Sequence, residues 1–318
     1  MAVYTEVSFE DLEKFLGDYH VGAPLSFKGI AEGVENSNFH LRTSEGAFIL
    51  TLYEKRVREQ DLPFFLGLLE HLASRGIACP LPVRNLRNEQ WTTLNGRPAA
   101  LLTFLDGISL RRPEVEHCVA AGRILAMLHS AAAGFSLHRP NALGPASWPE
   151  LTRNVASGAD RVQSGTRALI EEAVKRIVPQ WPKGLPEGII HADLFPDNVL
   201  FVGGQISGLI DFYFACNDFL AYDLAVMLNA WCFESDGFNI TKGKALISQY
   251  QRVRALSPAE LEALPLLCAG AALRFLLTRL YDLINHDPMA LVRPKDPREY
   301  AKRLRFHLNV RSAAAYGI

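Results

Sequence analysis

The stretch His191-Ala192-Asp193-Leu194-Phe195-Pro196-Asp197-Asn198-Val199-Leu200-Phe201 constrains this chain more than any other, because it sets a carboxylate and a carboxamide five residues apart on one short loop. In an H-x-D-x-x-x-x-N arrangement, Asp193 can accept a hydroxyl proton and Asn198 can offer a carboxamide oxygen to Mg²⁺. Two apolar-rich runs follow, Val199 to Val202 and Gln205 to Ile210, joined by Gly203-Gly204, and they read as a β-hairpin. The hairpin is expected to fold Asp211 back beside Asn198, giving a hard cation a second oxygen ligand. A surface hairpin whose polar residues merely serve turns would need loop, hairpin and second acid to coincide by chance. The stretch therefore reads as a phosphoryl-transfer centre.

A chain of 318 residues, 49% hydrophobic and with a net charge of −1, has room for two lobes and no charge excess to attract nucleic acid. Its five cysteines, Cys79, Cys118, Cys216, Cys232 and Cys268, are scattered and lack a C-x-x-C pair, so reduced core thiols are expected. Glu6, Glu10, Asp11 and Glu13 stand where an export signal needs basic and then apolar residues. The most apolar stretch, Leu264 to Leu277, is interrupted by Arg274 and falls short of the ~20 residues that span a bilayer. The expectation is a cytoplasmic protein, monomeric or homodimeric, with small-molecule substrates, no nucleic acid and no membrane partner.

Hydrophobic periodicity predicts an α+β chain. Ser8 and Asp11 resemble a capping box opening a short amphipathic helix. Strands are expected at 26–30, 38–43, 47–53, 81–86, 90–94 and 98–104, with Asn95-Gly96 as a hairpin turn. Asp61 is expected to cap an inserted helix bearing Phe65, Leu68, Leu69 and Leu72. The loop 32–37 has the small and polar residues that a phosphate-covering loop needs, with Gly33, Asn36 and Ser37 as its ATP-binding candidates. Leu105-Asp106-Gly107 breaks the last strand, placing a nucleotide-binding β-lobe at 1–103 and a helical catalytic and substrate lobe at 104–318. An adenine ring commonly docks at such a junction, which makes Thr103, Phe104 and Leu105 positional candidates. Helices are expected from Pro113, Trp148, Thr166, Leu220, Lys242, Ser257 and Arg298. His129, on the first of these, reads as a packed or capping residue.

With its H-x-D loop at 191–198 and the following Asp211, the sequence resembles the aminoglycoside phosphotransferase and choline kinase-like family, a relative of the protein kinases, over essentially its whole length, and the segments 32–39, 48–56, 61–65, 191–201 and 211–234 carry a closer resemblance within it. The resemblance implies a protein kinase-like two-lobe fold with a small antiparallel β-lobe and a larger, mainly helical lobe. It implies ATP and Mg²⁺, with Asp193 as catalytic base and Asn198 and Asp211 as metal ligands. It also implies His191 and Asp223 as supports of the catalytic loop; Asp223 reads equally as an acid favoured at a helix N-terminus. Within the family, the closer resemblance implies L-homoserine as acceptor, with choline, methylthioribose or an aminoglycoside as alternatives and a nucleotide-binding pseudokinase as the rival outside enzymes.

Two features depart, one from the family pattern and one from that of protein kinases. The third strand usually carries a Lys or Arg for the α- and β-phosphates, yet Thr51 stands there. Lys55, four residues on, can take that role or serve as an exposed strand-end lysine, and Glu59 or Glu70 can be its partner acid. Asp211-Phe212 is followed by Tyr213, where protein kinases have glycine, and no Ala-Pro-Glu element follows. For the acceptor, Asn217 and Asp218 lie closest to Asp211 in sequence and are the candidates for its ammonium, with Arg274 or Arg279 for its carboxylate.

Overall fold

The computed structural model describes residues 5–30, 36–54, 57–235, 237–286 and 294–318. The backbone gathers into two compact units: the described residues up to Gly107 together with Ser207–Tyr213, and a second unit of Ile108–Ile206, Phe214–His286 and Pro294–Ile318.

In the first unit, helix α1 (Phe9–Leu16) opens on a reciprocal capping box: Ser8 Oγ accepts from the Asp11 N–H at 3.1 Å, and the Asp11 carboxylate accepts from the Ser8 N–H at 3.2 Å. Strands β1 (Pro24–Gly29), β2 (Ser37–Thr43), β3 (Gly46–Leu52), β4 (Thr92–Leu94) and β5 (Arg97–Thr103) form an antiparallel sheet in the order β1-β2-β3-β5-β4. Asn95 and Gly96 both take positive φ, 49° and 74°, as the primed turn between β4 and β5 demands. Leu12, Leu41, Leu50 and Leu101 are fully buried in one cluster that joins α1 to the sheet.

Helix α2 (Leu62–Ala73) is inserted after β3, but Asp61 does not cap it. Its carboxylate takes the Arg58 guanidinium at 3.1 Å instead. The expected strand at 81–86 is likewise absent. The segment makes one bridge, Pro82 to Leu102, with bonds from the Val83 N–H to Leu101 O and from the Thr103 N–H to Leu81 O, and further along β5 the pairing is taken by β4, Thr92 opposite Ala99.

The second unit contains α3 (Val115–Ala131), α4 (Trp148–Val162), α5 (Thr166–Gln180), β6 (Glu187–Ile190) and β7 (Val199–Val202). Strand β7 pairs with β8 (Gln205–Leu209) through Gly203 and Gly204, both at positive φ, and the chain passes to the first unit within β8. Then come β9 (Cys216–Phe219), α6 (Leu220–Trp231), the two-residue strands β10 (Phe233–Glu234) and β11 (Gly237–Phe238), α7 (Ile240–Val253), α8 (Pro258–Ile284) and α9 (Arg298–Asn309). Strand β9 pairs antiparallel with β6, a link between residues about thirty apart that periodicity alone does not reveal.

Helix α8 is long and apolar enough to resemble a membrane span, but it is a core helix, most of its apolar window being buried by protein. Gly270 lets the Trp181 ring approach its backbone, since a Cβ there would lie 2.3 Å from that ring. All five cysteines are buried and free of disulfides.

Candidate active site

In the second unit, the loop that follows β6 is seated from below by one fully buried carboxylate. Asp223, in the first turn of α6, accepts from the His191 N–H at 2.7 Å and from the Ala192 N–H at 2.9 Å. Burial alone would push its carboxyl pKa up, but a hydrogen bond and charge interaction with His129, together with the loop amides, hold it below the ordinary carboxylate value. His129 in turn links Asp223, 3.1 Å from Nε2, to the Tyr250 hydroxyl, 2.8 Å from Nδ1, so α3, α6 and α7 meet on the loop. Asp223 is thus both an acid in a helix's first turn and the buttress of the loop.

Ala192 takes φ 63°, a left-handed conformation costly for a residue with a Cβ. Its carbonyl accepts from Nη1 of the buried Arg274, whose guanidinium lies over the rings of Phe275 and Phe214, 4.3 and 5.3 Å from their centroids. The side chain offered by sequence as a cation for the acceptor's carboxylate therefore holds the loop backbone. His191 is fully buried, and its Nδ1 accepts from the Asp193 N–H at 3.3 Å. Trp231 Nε1 donates to Leu194 O at 2.8 Å.

Asp193 emerges half-buried from this seat. Asn198 Nδ2 donates to Asp193 O at 2.8 Å and to Asp193 Oδ2 at 3.2 Å, which turns the carboxamide nitrogen onto the acid and the oxygen the other way. Asp197 pairs with Lys295 at 2.6 Å.

In the first unit, Asp211 follows β8 at φ 64°. Leu209 N–H donates to Ala78 O at 2.9 Å before it, and Tyr213 packs on Tyr53 and Phe65 after it. The Asn198 carboxamide oxygen in the second unit and the Asp211 carboxylate in the first are each hard donors of the kind Mg²⁺ takes, an ion that usually keeps waters and phosphate oxygens among its ligands. Among the described residues no group of three or more His, Cys, Asp or Glu side chains offers an all-protein metal cage.

The ATP-binding candidates divide. Gly33 and Lys55 lie outside the described residues. Asn36 and Ser37 are buried: Asn36 Oδ1 accepts from the Glu54 N–H at 3.4 Å, and Ser37 Oγ donates to Glu54 Oε1 at 2.7 Å. Their side chains latch the start of β2 to the end of β3, with Arg97 as the counter-ion of Glu54 at 3.2 Å. Thr103 Oγ1 accepts from the Leu81 N–H at 2.9 Å, and Leu105 packs so closely on Gly208 that a Cβ there would lie 2.6 Å from Leu105 Cδ1. Glu70 pairs with Arg84 at 2.8 Å, while Glu59 is exposed on a turn of 3₁₀ helix before α2.

On the acceptor side, Asn217 and Asp218 are built into β9. Asn217 Oδ1 accepts from the Arg139 N–H at 2.9 Å, and Asp218 accepts from Asn141 Nδ2 and its neighbour Phe219 N–H, both at 2.7 Å. Burial raises the Asp218 carboxyl pKa against those two hydrogen bonds. Arg279 donates to Asp296 O at 3.1 Å and to Glu299 at 2.9 Å. Sequence reasoning missed Arg274 as a loop anchor; its one visible signal is an arginine inside the most apolar stretch of the chain, where a buried guanidinium requires a partner.

The profile of the phosphotransferase enzyme family matches residues 26–256. The chain belongs to that family. A homoserine kinase of Parvibaculum lavamentivorans is 59% identical over 319 aligned residues, covering 100% of this chain and 99% of that protein. Among solved structures, an amicoumacin kinase in complex with AMP-PNP, Ca²⁺ and amicoumacin superposes with a TM-score of 0.71 at 13% identity, over 95% of this chain and 92% of its own. A choline kinase of Cryptosporidium parvum gives 0.65 at 16% identity, over 89% and 88%. These two establish the protein kinase-like fold of this phosphotransferase, with its small antiparallel sheet and larger helical part.

Proposed function

We propose that this chain transfers the γ-phosphate of ATP to the side-chain hydroxyl of L-homoserine, giving O-phospho-L-homoserine and ADP in threonine biosynthesis. The observation that carries this reading is the end-to-end 59% identity to a homoserine kinase. The seated Asp193–Asn198 loop supplies the chemistry that reading requires. Asp193 accepts the hydroxyl proton as phosphate is transferred, which needs the acceptor oxygen within about 3 Å of its carboxylate. Asn198 and Asp211 are the protein's ligands for Mg²⁺, which when bound neutralises charge on the nucleotide phosphates. Gly33, Asn36 and Ser37 belong to the loop over those phosphates, Lys55 is their cation, and Thr103 and Leu105 belong to the adenine end. Asn217 and Asp218 belong to the acceptor side, through the 139–141 segment they hold. The freely dissolved substrates of that reaction support a cytoplasmic location for the enzyme.

Serine is one methylene shorter than homoserine. Held by the same amino-acid head, its hydroxyl stops short of the in-line position, and a misplacement of about 1 Å can cost about a hundredfold. The test is ADP release with equal concentrations of L-homoserine, L-serine, choline, methylthioribose and kanamycin. Homoserine is expected to give the highest kcat/KM and serine a value lower by about two orders of magnitude. A higher kcat/KM for choline or kanamycin would leave the fold and the chemistry standing and remove homoserine.

A further inference from the structure

In the first unit, the place on β3 where the family pattern leads one to expect a cation is filled by neutral hydroxyls. Thr51 is 1% exposed, and its Oγ1 donates to Asn38 Oδ1 on β2 at 2.8 Å. Tyr53, two residues on and also 1% exposed, extends from the same face of the strand. Its hydroxyl lies 3.3 Å from that of Tyr213, and the two rings meet edge to face with centroids 5.3 Å apart. Phe65 of α2 closes on the Tyr213 ring from another side, 5.8 Å away and nearly perpendicular. Burial pushes the Tyr53 phenol well above its ordinary value.

Asp211 stands two residues before this anchor, with a backbone at φ 64° that a side chain disfavours. A non-glycine residue stays in that region only when its surroundings over-determine it. On one side the Leu209 N–H is fixed on Ala78 O, with Ser207 Oγ donating to Asp106 O at 2.7 Å one step further back. On the other side the fixed point is Tyr213.

We propose that Tyr213 is a positioning residue: its hydroxyl, held by Tyr53 beside Thr51, pins the turn that carries Asp211 and so aims that carboxylate at the nucleotide-bound Mg²⁺. The inference rests on the reading of Asp211 as a metal ligand. A tyrosine in place of the kinase glycine after Asp-Phe then fixes this segment on the sheet, while the buried Thr51 hydroxyl at the expected cation position is turned onto Asn38.

The experiment measures ATP affinity by calorimetry with saturating Mg²⁺ and again in EDTA, and takes the ratio as the metal's contribution. The proteins are the parent, Tyr213→Phe, Tyr53→Phe, the double variant, Asp211→Asn, and Tyr19→Phe as a control that removes a buried hydroxyl lacking a hydrogen-bond partner elsewhere in the same unit. Tyr213→Phe keeps the ring and its contacts with Phe65 and deletes only the hydroxyl. The ratio is expected to fall about five- to tenfold in Tyr213→Phe, the factor one net hydrogen bond carries. Tyr53→Phe should match it and the double variant should fall no further, because both remove one shared interaction. Tyr19→Phe should keep the parent ratio. If Asp211→Asn collapses the ratio while Tyr213→Phe behaves like Tyr19→Phe, the positioning role is overturned and the metal ligand stands. If Asp211→Asn also keeps the parent ratio, Asp211 is not a ligand and the positioning role falls with it.

Discussion

Asp193 is oriented before any substrate arrives, because its Oδ2 already receives Asn198 Nδ2 and its N–H is fixed on His191 Nδ1. These contacts are local in sequence, which is why the acid and the carboxamide could be read from their spacing alone. Ser37 shows the converse. Its hydroxyl is turned onto Glu54, seventeen residues away, a pairing that no local pattern reveals. Asp193→Asn is nearly isosteric, but it replaces a proton acceptor with a carboxamide that cannot take the proton. We expect ATP affinity close to the parent and kcat lower by about 10²–10⁴-fold, or about 3–5 kcal/mol of barrier. Steady-state ADP release alongside calorimetric ATP binding checks both halves, and a near-normal kcat would remove Asp193 from the mechanism.

The catalytic loop is an element whose conformation depends on side chains far away in the sequence. Two adjacent N–H groups converge on Asp223, and the strained Ala192 carbonyl between them and Asp193 is held by Arg274, 82 residues on. Sequence reasoning could place Asp223 near the loop through the family resemblance. It could not assign Arg274, because the pairing of an arginine on α8 with one carbonyl exists only after the helices have packed. In Arg274→Ala a buried carbonyl loses a charged donor, and the faces of Phe275 and Phe214 lose their cation. The expected cost is about 1.5–3 kcal/mol for the hydrogen bond to a charged group. Urea denaturation reads that loss. kcat should fall as well, because Asp193 follows the carbonyl that moves, whereas the KM for ATP should change little. A variant of parent stability and parent kcat would show that the loop holds its shape without Arg274.

At the scale of the whole molecule, the strands and helices that alternate or repeat cleanly were legible, and the exceptions have identifiable causes. The 81–86 segment looked like a strand by its apolar residues, but beyond its one bridge to Leu102 the pairing along β5 is taken by β4. The β6–β9 pairing was not legible because it is long-range. Equally hidden was the polar cluster that joins three helices inside the second unit. Asn229 Nδ2 donates to Ala225 O on its own helix, α6, and to Cys268 O on α8, both at 3.0 Å, while its Oδ1 lies 3.2 Å from His307 Nε2 on α9. His307 Nδ1 lies 2.8 Å from the Tyr316 hydroxyl, so a neutral ring that donates from Nε2 and accepts at Nδ1 satisfies both neighbours. Burial, with the Arg303 guanidinium nearby, pushes the His307 pKa down from 6.5 to about 3. The sign follows from which state takes the proton. Below about pH 6.5 the unfolded chain protonates this histidine, whereas the folded chain does not until about pH 3. The stability that the neutral ring contributes is therefore fully present above pH 6.5 and declines as pH falls through that window, by up to about 1.4 kcal/mol per pH unit. His307→Gln retains a donor and an acceptor but does not titrate. Urea denaturation of both proteins at pH 7, 6 and 5 should give a parent-minus-variant difference in unfolding free energy that is largest at pH 7 and shrinks by about 1.4 kcal/mol for each unit below 6.5. A difference that stays constant from pH 7 to pH 5 would mean that His307 is protonated in the folded protein too, and that the joint between α6, α8 and α9 does not depend on a neutral ring.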